Sequence, residues 1–164
     1  MLVGVFSDIH DNLEKLRKAL KEFSDKGIDT ALFLGDFCSP VPAKEMSDSF
    51  NGTIHCVFGN GDGDEFLISQ FATEESSSLK LHGKHAELEI DGKQTAMTHY
   101  PLYGQALART GDYTAVFSGH THKFQEEYFD DCLWLNPGDV MGLENQAACA
   151  VWNTEDNSAE IVKL

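Results

Sequence analysis

Within the first sixty residues, three short apolar runs each stop at a small polar cluster and hand over to a helical pattern. Leu2 to Phe6 ends at Ser7-Asp8-Ile9-His10-Asp11-Asn12, Thr30 to Leu34 ends at Gly35-Asp36-Phe37, and Thr53 to Phe58 ends at Gly59-Asn60-Gly61-Asp62. Runs of four to six apolar residues are the length of buried strands, not of helices. Leu13, Leu16, Leu20 and Phe23 recur at helical spacing, with Asn12 or Asp11 placed to cap the helix and Gly27 to close it. A shorter helix is expected from Pro42 to about Phe50, and another through Phe66, Leu67 and Phe71. Strand–loop–helix repeated in this way requires a mainly parallel sheet with right-handed crossovers. Such sheets bind ligands at the carboxyl ends of their strands, where all three polar clusters fall.

The pattern changes after about residue 76. Residues 76–85 read as a loop leading into hairpins. Ala86 to Ile90 alternates cleanly, Asp91-Gly92 is a hairpin turn, and Gln94 to Thr98 is the return strand, ending at His99-Tyr100-Pro101. A helix through Leu102, Leu107 and Ala108 leads to the apolar run Thr114 to Phe117, which ends at Gly119-His120-Thr121-His122. Phe124 to Phe129 pairs with Leu133 to Leu135 across Asp130-Asp131, and Ala147 to Asn153 pairs with Ala159 to Leu164. With no fixed-period repeat and no linker, residues 1–164 are expected to form one domain, two sheets packed face to face with helices outside.

The formal charge of −15, from 27 acidic and 12 basic residues, argues against a general nucleic-acid grip. It leaves room for a phosphate substrate, because bound divalent ions dominate the field of their own cleft. Ten of the twelve basic residues are Lys, so the acid excess lacks the lysine depletion of strong salt adaptation. No apolar run approaches the roughly 18–20 residues that span a bilayer, and no basic stretch precedes the first apolar run, so a cytoplasmic protein without a membrane anchor is expected. Cys38, Cys56, Cys132 and Cys149 show no C-x-x-C spacing and are expected to be reduced thiols.

The polar residues that end apolar strands form a set: Asp8, His10, Asp36, Asn60, His99, His120 and His122. Each alone has an ordinary alternative: Asp8 as a helix cap, His10 as a surface residue, Asp36 and Asn60 as turn residues, His99 as a packed histidine. Together they are two carboxylates, an amide oxygen and four imidazoles, with no thiolate. That mix suits borderline divalent metals such as Mn, Fe, Zn, Co or Ni. Seven groups are too many for one ion that keeps a water position open, and they suit two ions sharing a carboxylate.

The order D-x-H, G-D, G-N, a lone His and G-H-x-H resembles the signature of calcineurin-like metallophosphoesterases. Ser7-Asp8-Ile9-His10-Asp11-Asn12, the Gly119-His120-Thr121-His122 stretch and Asn136-Pro137-Gly138 are similar to the small YfcE-type phosphodiesterase group. The resemblance covers essentially the whole chain and implies a four-layer α/β/β/α sandwich of two mixed β-sheets flanked by helices. It implies that Asp8, His10, Asp36 and His122 hold one metal and Asp36, Asn60, His99 and His120 the other. Asp36 would bridge them, and Asp36, Asn60 and His99 would also serve catalysis. The implied activity is a dinuclear metal-dependent phosphodiesterase acting on a small phosphate ester, with a metal-bridging hydroxide attacking phosphorus in line. Manganese is the first choice of metal, ahead of Ni, Fe, Zn or Co. A phosphomonoesterase or nucleotide pyrophosphohydrolase on the same site, and a catalytically weak scaffold of the same fold, are the alternatives. The edges of the hairpins leave room for a homodimer or homotetramer.

Three departures from the family pattern stand out. Gly61 follows Asn60 where many members carry a His thought to protonate the leaving group, so this chain brings no proton donor there. Asp62 is a substitute donor only if its pKa is raised, and is otherwise expected to be a helix N-cap. Phe58 stands where group members often have a basic residue, and Asp139 stands where Ser is usual, either closing a turn or adding charge at the cleft mouth. Cys38 is close enough to Asp36 to line the cleft, whereas His55, His82 and His85 match no ligand position.

Overall fold

The computed structural model describes residues 1–164 and has two mixed sheets between helices. The elements are β1 (Leu2–Phe6), α1 (Leu13–Asp25), β2 (Thr30–Phe33), α2 (Pro40–Ser49), β3 (Thr53–Cys56), α3 (Glu65–Ala72), β4 (Leu79–Leu81), β5 (His85–Ile90), β6 (Lys93–Thr98), α4 (Pro101–Ala108), β7 (Ala115–Phe117), β8 (Phe124–Phe129), β9 (Cys132–Pro137), β10 (Ala148–Asn153) and β11 (Ser158–Lys163). The first sheet runs β11-β10-β1-β2-β3-β4, with β1 to β4 parallel and the C-terminal hairpin added antiparallel to β1. The second runs β5-β6-β7-β9-β8, a parallel centre flanked by two hairpins. No helix is long and apolar enough to cross a membrane.

Three apolar clusters fill the three gaps between four layers. Leu16, Leu20 and Phe23 of α1, Met46 of α2 and Ile68 of α3 meet Phe6, Phe33 and Ile54 on the outer face of the first sheet. Val3, Val5, Leu32, Ala150 and Trp152 meet Met97, Phe117, Leu133 and Leu135 between the sheets. Ala108 packs with Ala96, Val116 and Trp134 on the far side of the second sheet, under α4. Alternation along each strand sends successive side chains to opposite faces, so central strands buried on both sides are apolar throughout, as in β1 and β7. This is the four-layer sandwich that the resemblance implied.

Two expectations need correcting. Residues 79–81, read as loop, form β4, an edge strand parallel to β3. Three residues with an exposed Lys80 in the middle carry too little pattern to show, and the pairing comes from β3 rather than from local preference. The second helix starts at Pro40, two residues before its expected start: the Ser39 hydroxyl accepts from Val41 N at 3.3 Å and Pro40 takes the first helical position. Elsewhere the boundaries lie within a few residues of those read from the pattern.

Candidate metal centre

The carboxyl ends of β1, β2 and β3 and the ends of β6 and β7 converge on one point. Each delivers its polar cluster through backbone that leaves the strand sharply. Asp8, His10, Asp11, Asp36, Cys38, His120 and His122 all have φ between 44° and 73°. Residues other than glycine rarely adopt this left-handed region, and clusters of it are typical of functional sites. The glycines before the ligands serve close approach. A Cβ on Gly59 would collide with Asp36 Oδ1 and lie 2.8 Å from both Asp36 N and His99 Cε1. A Cβ on Gly119 would collide with Ser7 Oγ and come 2.8 Å from Asp8 Oδ2.

Asp8, buried completely, presents Oδ1 3.8 Å from His10 Nε2 and 3.4 Å from His122 Nε2. Asp36 Oδ2 lies 3.4 Å from the same His10 nitrogen and 3.5 Å from His99 Nε2. These atoms form two overlapping groups, Asp8–His10–His122 and Asp8–Asp36–His99, each within 4.8 Å. Asp8 Oδ1 and His10 Nε2 are buried and make no hydrogen bond. Separations of 3.4–3.8 Å are too long for good hydrogen bonds. Two ligand atoms each about 2.1 Å from a common ion, at tetrahedral or octahedral angles, lie about 3.0–3.4 Å apart. The spacing and the oxygen–imidazole donor set therefore fit divalent cations.

His99 supports the same fit. Its Nδ1 lies 2.8 Å from the Leu34 carbonyl, to which it donates. In the neutral ring that a metal ligand must be, Nε2 carries a lone pair, and it faces Asn60 Oδ1 at 3.0 Å and Asp36 Oδ2 at 3.5 Å. Three lone pairs converge where a cation would satisfy all of them. The His120 ring centroid lies 5.1 Å from that of His99, and its backbone N–H donates to Asp8 Oδ2 at 2.9 Å. The structure thus brings all seven sequence-selected residues to one centre, with Asn60 and His120 on its exposed side.

The residues behind the ligands were mostly not foreseen. Asp139 is 1% exposed, not at the cleft mouth. Its Oδ2 accepts from Gly142 N at 3.1 Å, closing a turn, and also lies 3.2 Å from His122 Nδ1. Asp62 is not a helix cap: Asp64 caps α3, accepting from Leu67 N at 3.0 Å. Asp62 instead accepts three backbone N–H groups, from Gly59 at 2.7 Å, Cys38 at 3.1 Å and Asp36 at 3.2 Å, and so ties the second polar loop to the third. Burial raises its pKa while those backbone bonds oppose the rise, and both oxygens are committed as acceptors. Cys38 Sγ stands 3.1 Å from His10 Nδ1, and burial, with nearby Asp36, pushes its thiol up to about 11. Asn136 donates to Gly119 O at 2.6 Å and to Thr121 Oγ1 at 3.0 Å, holding the Gly119–His122 loop. Gly61 N donates to Asp36 Oδ1 at 2.7 Å, and a Cβ there would crowd the Asp36 carboxylate at 3.1–3.2 Å. His55 and His82 pair with one another, Nδ1 to Nε2 at 2.9 Å, and burial holds His55 down to about 4. His85 is exposed on β5, and all four cysteines are free.

Electrostatics link the carboxylates to the imidazoles. Burial alone would raise the Asp8 pKa, but the facing His10 and His122 rings outweigh it and hold the carboxyl below its ordinary range. In return, the nearby Asp8 carboxylate raises His122 to about 9 against the opposing effect of burial, with Asp139 adding to the rise. His10 is raised for the same first reason, its closeness to Asp8.

Comparison with known proteins agrees with this geometry. Residues 1–157 match the calcineurin-like phosphoesterase superfamily domain. The phosphodiesterase MJ0936 of Methanocaldococcus jannaschii is 31% identical over 144 residues, covering 87% of this chain and 86% of that protein. The solved structure of an archaeal phosphodiesterase superposes with a TM-score of 0.90 at 30% identity over 100% of both chains. YfcE, a phosphoesterase from E. coli, shares the fold with a TM-score of 0.73 at 18% identity over 99% of each chain. The chain belongs to the calcineurin-like phosphoesterase superfamily, as a hydrolase of phosphoric esters.

Proposed function

We propose that this protein is a dinuclear metal-dependent phosphodiesterase. The observation that carries the reading is the position of Asp36, whose Oδ2 lies 3.4 Å from His10 Nε2 on one side and 3.5 Å from His99 Nε2 on the other. A carboxylate so placed would be shared by both ions. Asp8, His10 and His122 would complete the first set with Asp36, and Asn60, His99 and His120 the second. Two divalent cations, manganese by preference, would supply a hydroxide nucleophile from water at neutral pH and neutralise the phosphoryl oxygens.

The chain's own residues orient and hold this chemistry. The Leu34 carbonyl keeps the His99 proton on Nδ1, leaving Nε2 as donor atom. Asp139 does the same for His122 from behind, and Gly61 N–H fixes the Asp36 carboxylate. No side chain at position 61 reaches the leaving oxygen. General acid catalysis typically contributes about 10²–10⁴-fold, so esters with poor leaving groups are expected to suffer most. This favours activated diesters over alkyl monoesters. The four free cysteines suit a reducing compartment, and we place the protein in the cytoplasm.

The test is hydrolysis of bis-p-nitrophenyl phosphate against p-nitrophenyl phosphate by metal-stripped protein, before and after adding Mn²⁺ or Ni²⁺. Metal-dependent turnover with the diester preferred is expected. Turnover of the monoester alone would move the assignment to a phosphomonoesterase, and no turnover of either with two ions bound would identify a scaffold.

A further inference from the structure

Beside the candidate metal centre lies a cleft of about 620 Å³, lined by Gly59, Lys84, Thr98, Tyr100, Tyr103 and Leu107 among others. Its wall joins the centre on two sides. Gly59 immediately precedes Asn60, and Tyr100 immediately follows His99. The Tyr100 ring centroid is 5.2 Å from the His99 ring and 5.1 Å from the His120 ring. An organic substituent on a phosphate held at the centre can therefore reach the Tyr100 ring.

The wall is mostly apolar and aromatic. Tyr103, one helical turn on from Tyr100, stands edge-on to it, with centroids 6.0 Å apart and planes at 85°. Tyr103 is 59% exposed, so its ring is not used by the core. A ring packed into the corner of two perpendicular rings meets one of them face-on and the other edge-on, the contacts that aromatic groups prefer. None of the lining residues is Asp, Glu, Asn or Gln, the side chains that would bind several hydroxyls of a sugar. One lysine closes the rim: Lys84 Nζ lies 3.3 Å from Gly59 O and 5.4 Å from the centre of the Phe58 ring, and it pairs with Glu65. Lys84 thus sets a cation beside Phe58 and the Gly59 carbonyl, one residue from Asn60.

We propose that this cleft is the subsite for a planar aromatic substituent of the phosphate ester, gripped by Tyr100 and Tyr103 with Lys84 at its rim. The assignment rests on the phosphoesterase reading above and adds to it the class of substrate. A ligand with a single substituent on phosphorus tests it without ambiguity about which group enters the cleft. Binding of methylphosphonate, phenylphosphonate and thymidine 5′-monophosphate to Mn²⁺-loaded protein would be measured by titration calorimetry, for the native protein, Tyr103→Ala and Tyr103→Phe. Phenylphosphonate is expected to bind about tenfold tighter than methylphosphonate. Tyr103→Ala should remove most of that preference with methylphosphonate affinity unchanged, and Tyr103→Phe should keep it. A nucleotide that shares the preference and its loss assigns the ring to a nucleobase; one that binds like methylphosphonate assigns it to a small aryl group. Equal binding of the methyl and phenyl compounds, or a preference that survives Tyr103→Ala, overturns the subsite and leaves the phosphoesterase reading intact. Failure of all three to bind the loaded protein overturns both.

Discussion

The two halves of the candidate metal centre are built from similar side chains and held in different ways. His99 and Asp36 have side chains only 1% and 2% exposed, and backbone groups fix both: the Leu34 carbonyl behind His99, the Gly61 N–H on Asp36. His10 and His122 are 25% and 27% exposed, and side chains fix them: Cys38 behind His10, Asp139 behind His122. His99 and Asp36 are part of the sandwich and are set when the sheets pack. The open half is an electrostatic arrangement in which Asp8 lifts the imidazole pKa values and is itself held down. His99 and Asp36 are organised by the fold, while His10 and His122 are poised by charge and should answer to pH.

The largest effect should come from the residue the halves share. Asp36→Asn keeps the size of the side chain and removes its charge. Both ions should be lost and diester turnover should fall by at least the roughly 10²–10³-fold seen when one preorganised electrostatic group is removed. Metal content by mass spectrometry and a circular dichroism spectrum like that of the native protein would check it. Retention of one tightly held ion would show that the halves are independent.

The next effect separates the halves by pH. Without metal, His122 stays protonated up to about 9, so an ion entering the first site must expel that proton. Affinity of the first site should rise about tenfold per pH unit between the ordinary histidine value of about 6.5 and about 9. Stability of the metal-free protein should run the other way. The raised His122 pKa contributes stability that is complete below about 6.5 and is lost as pH rises to about 9. The depressed Asp8 pKa contributes stability that is present above about 4 and lost in stronger acid. The difference in Tm with and without Mn²⁺ should therefore widen from pH 6.5 to 9; a constant difference would break the comparison.

Smaller effects probe the groups behind each imidazole of the open half. Asp139→Asn removes the carboxylate from His122 Nδ1 and should weaken metal affinity by about 10–100-fold, as loss of an orienting carboxylate does. Chelator competition at fixed pH would measure it, and the pH slope should shift to lower pH because His122 loses part of its lift. Cys38→Ala removes only a neutral thiol from His10 Nδ1, since burial keeps the sulfur protonated to about 11. A bond of that kind contributes about 0.5–1.5 kcal/mol, so affinity should fall only a few-fold. If Cys38→Ala costs as much as Asp139→Asn, the thiol is doing more than orienting the ring.

Much of this molecule could be read from residue order because the relevant signals are local. Apolar runs of four to six residues define β1, β2 and β3, the Asp91-Gly92 turn defines the β5–β6 hairpin, and both turn residues take positive φ as that turn requires. The residue types at the strand ends selected the seven groups that meet at the centre, since a parallel sheet must bring those ends to one edge. Packing decided the rest. Whether Asp62 caps a helix or ties two loops, and whether Asp139 lies at a mouth or behind His122, depends on partners far away in the chain. The N–H of His120 reaches Asp8 Oδ2 across 112 residues. The edge strand β4 exists because β3 offers its unpaired ladder, and the Tyr100–Tyr103 cleft exists because α4 settles where it does. The left-handed backbone at Asp8, His10, Asp36, His120 and His122 costs about 1–3 kcal/mol per residue. Nothing in the local sequence favours that cost; the surrounding sandwich holds those residues there, because only the assembled sheets bring five loops close enough to fix one another.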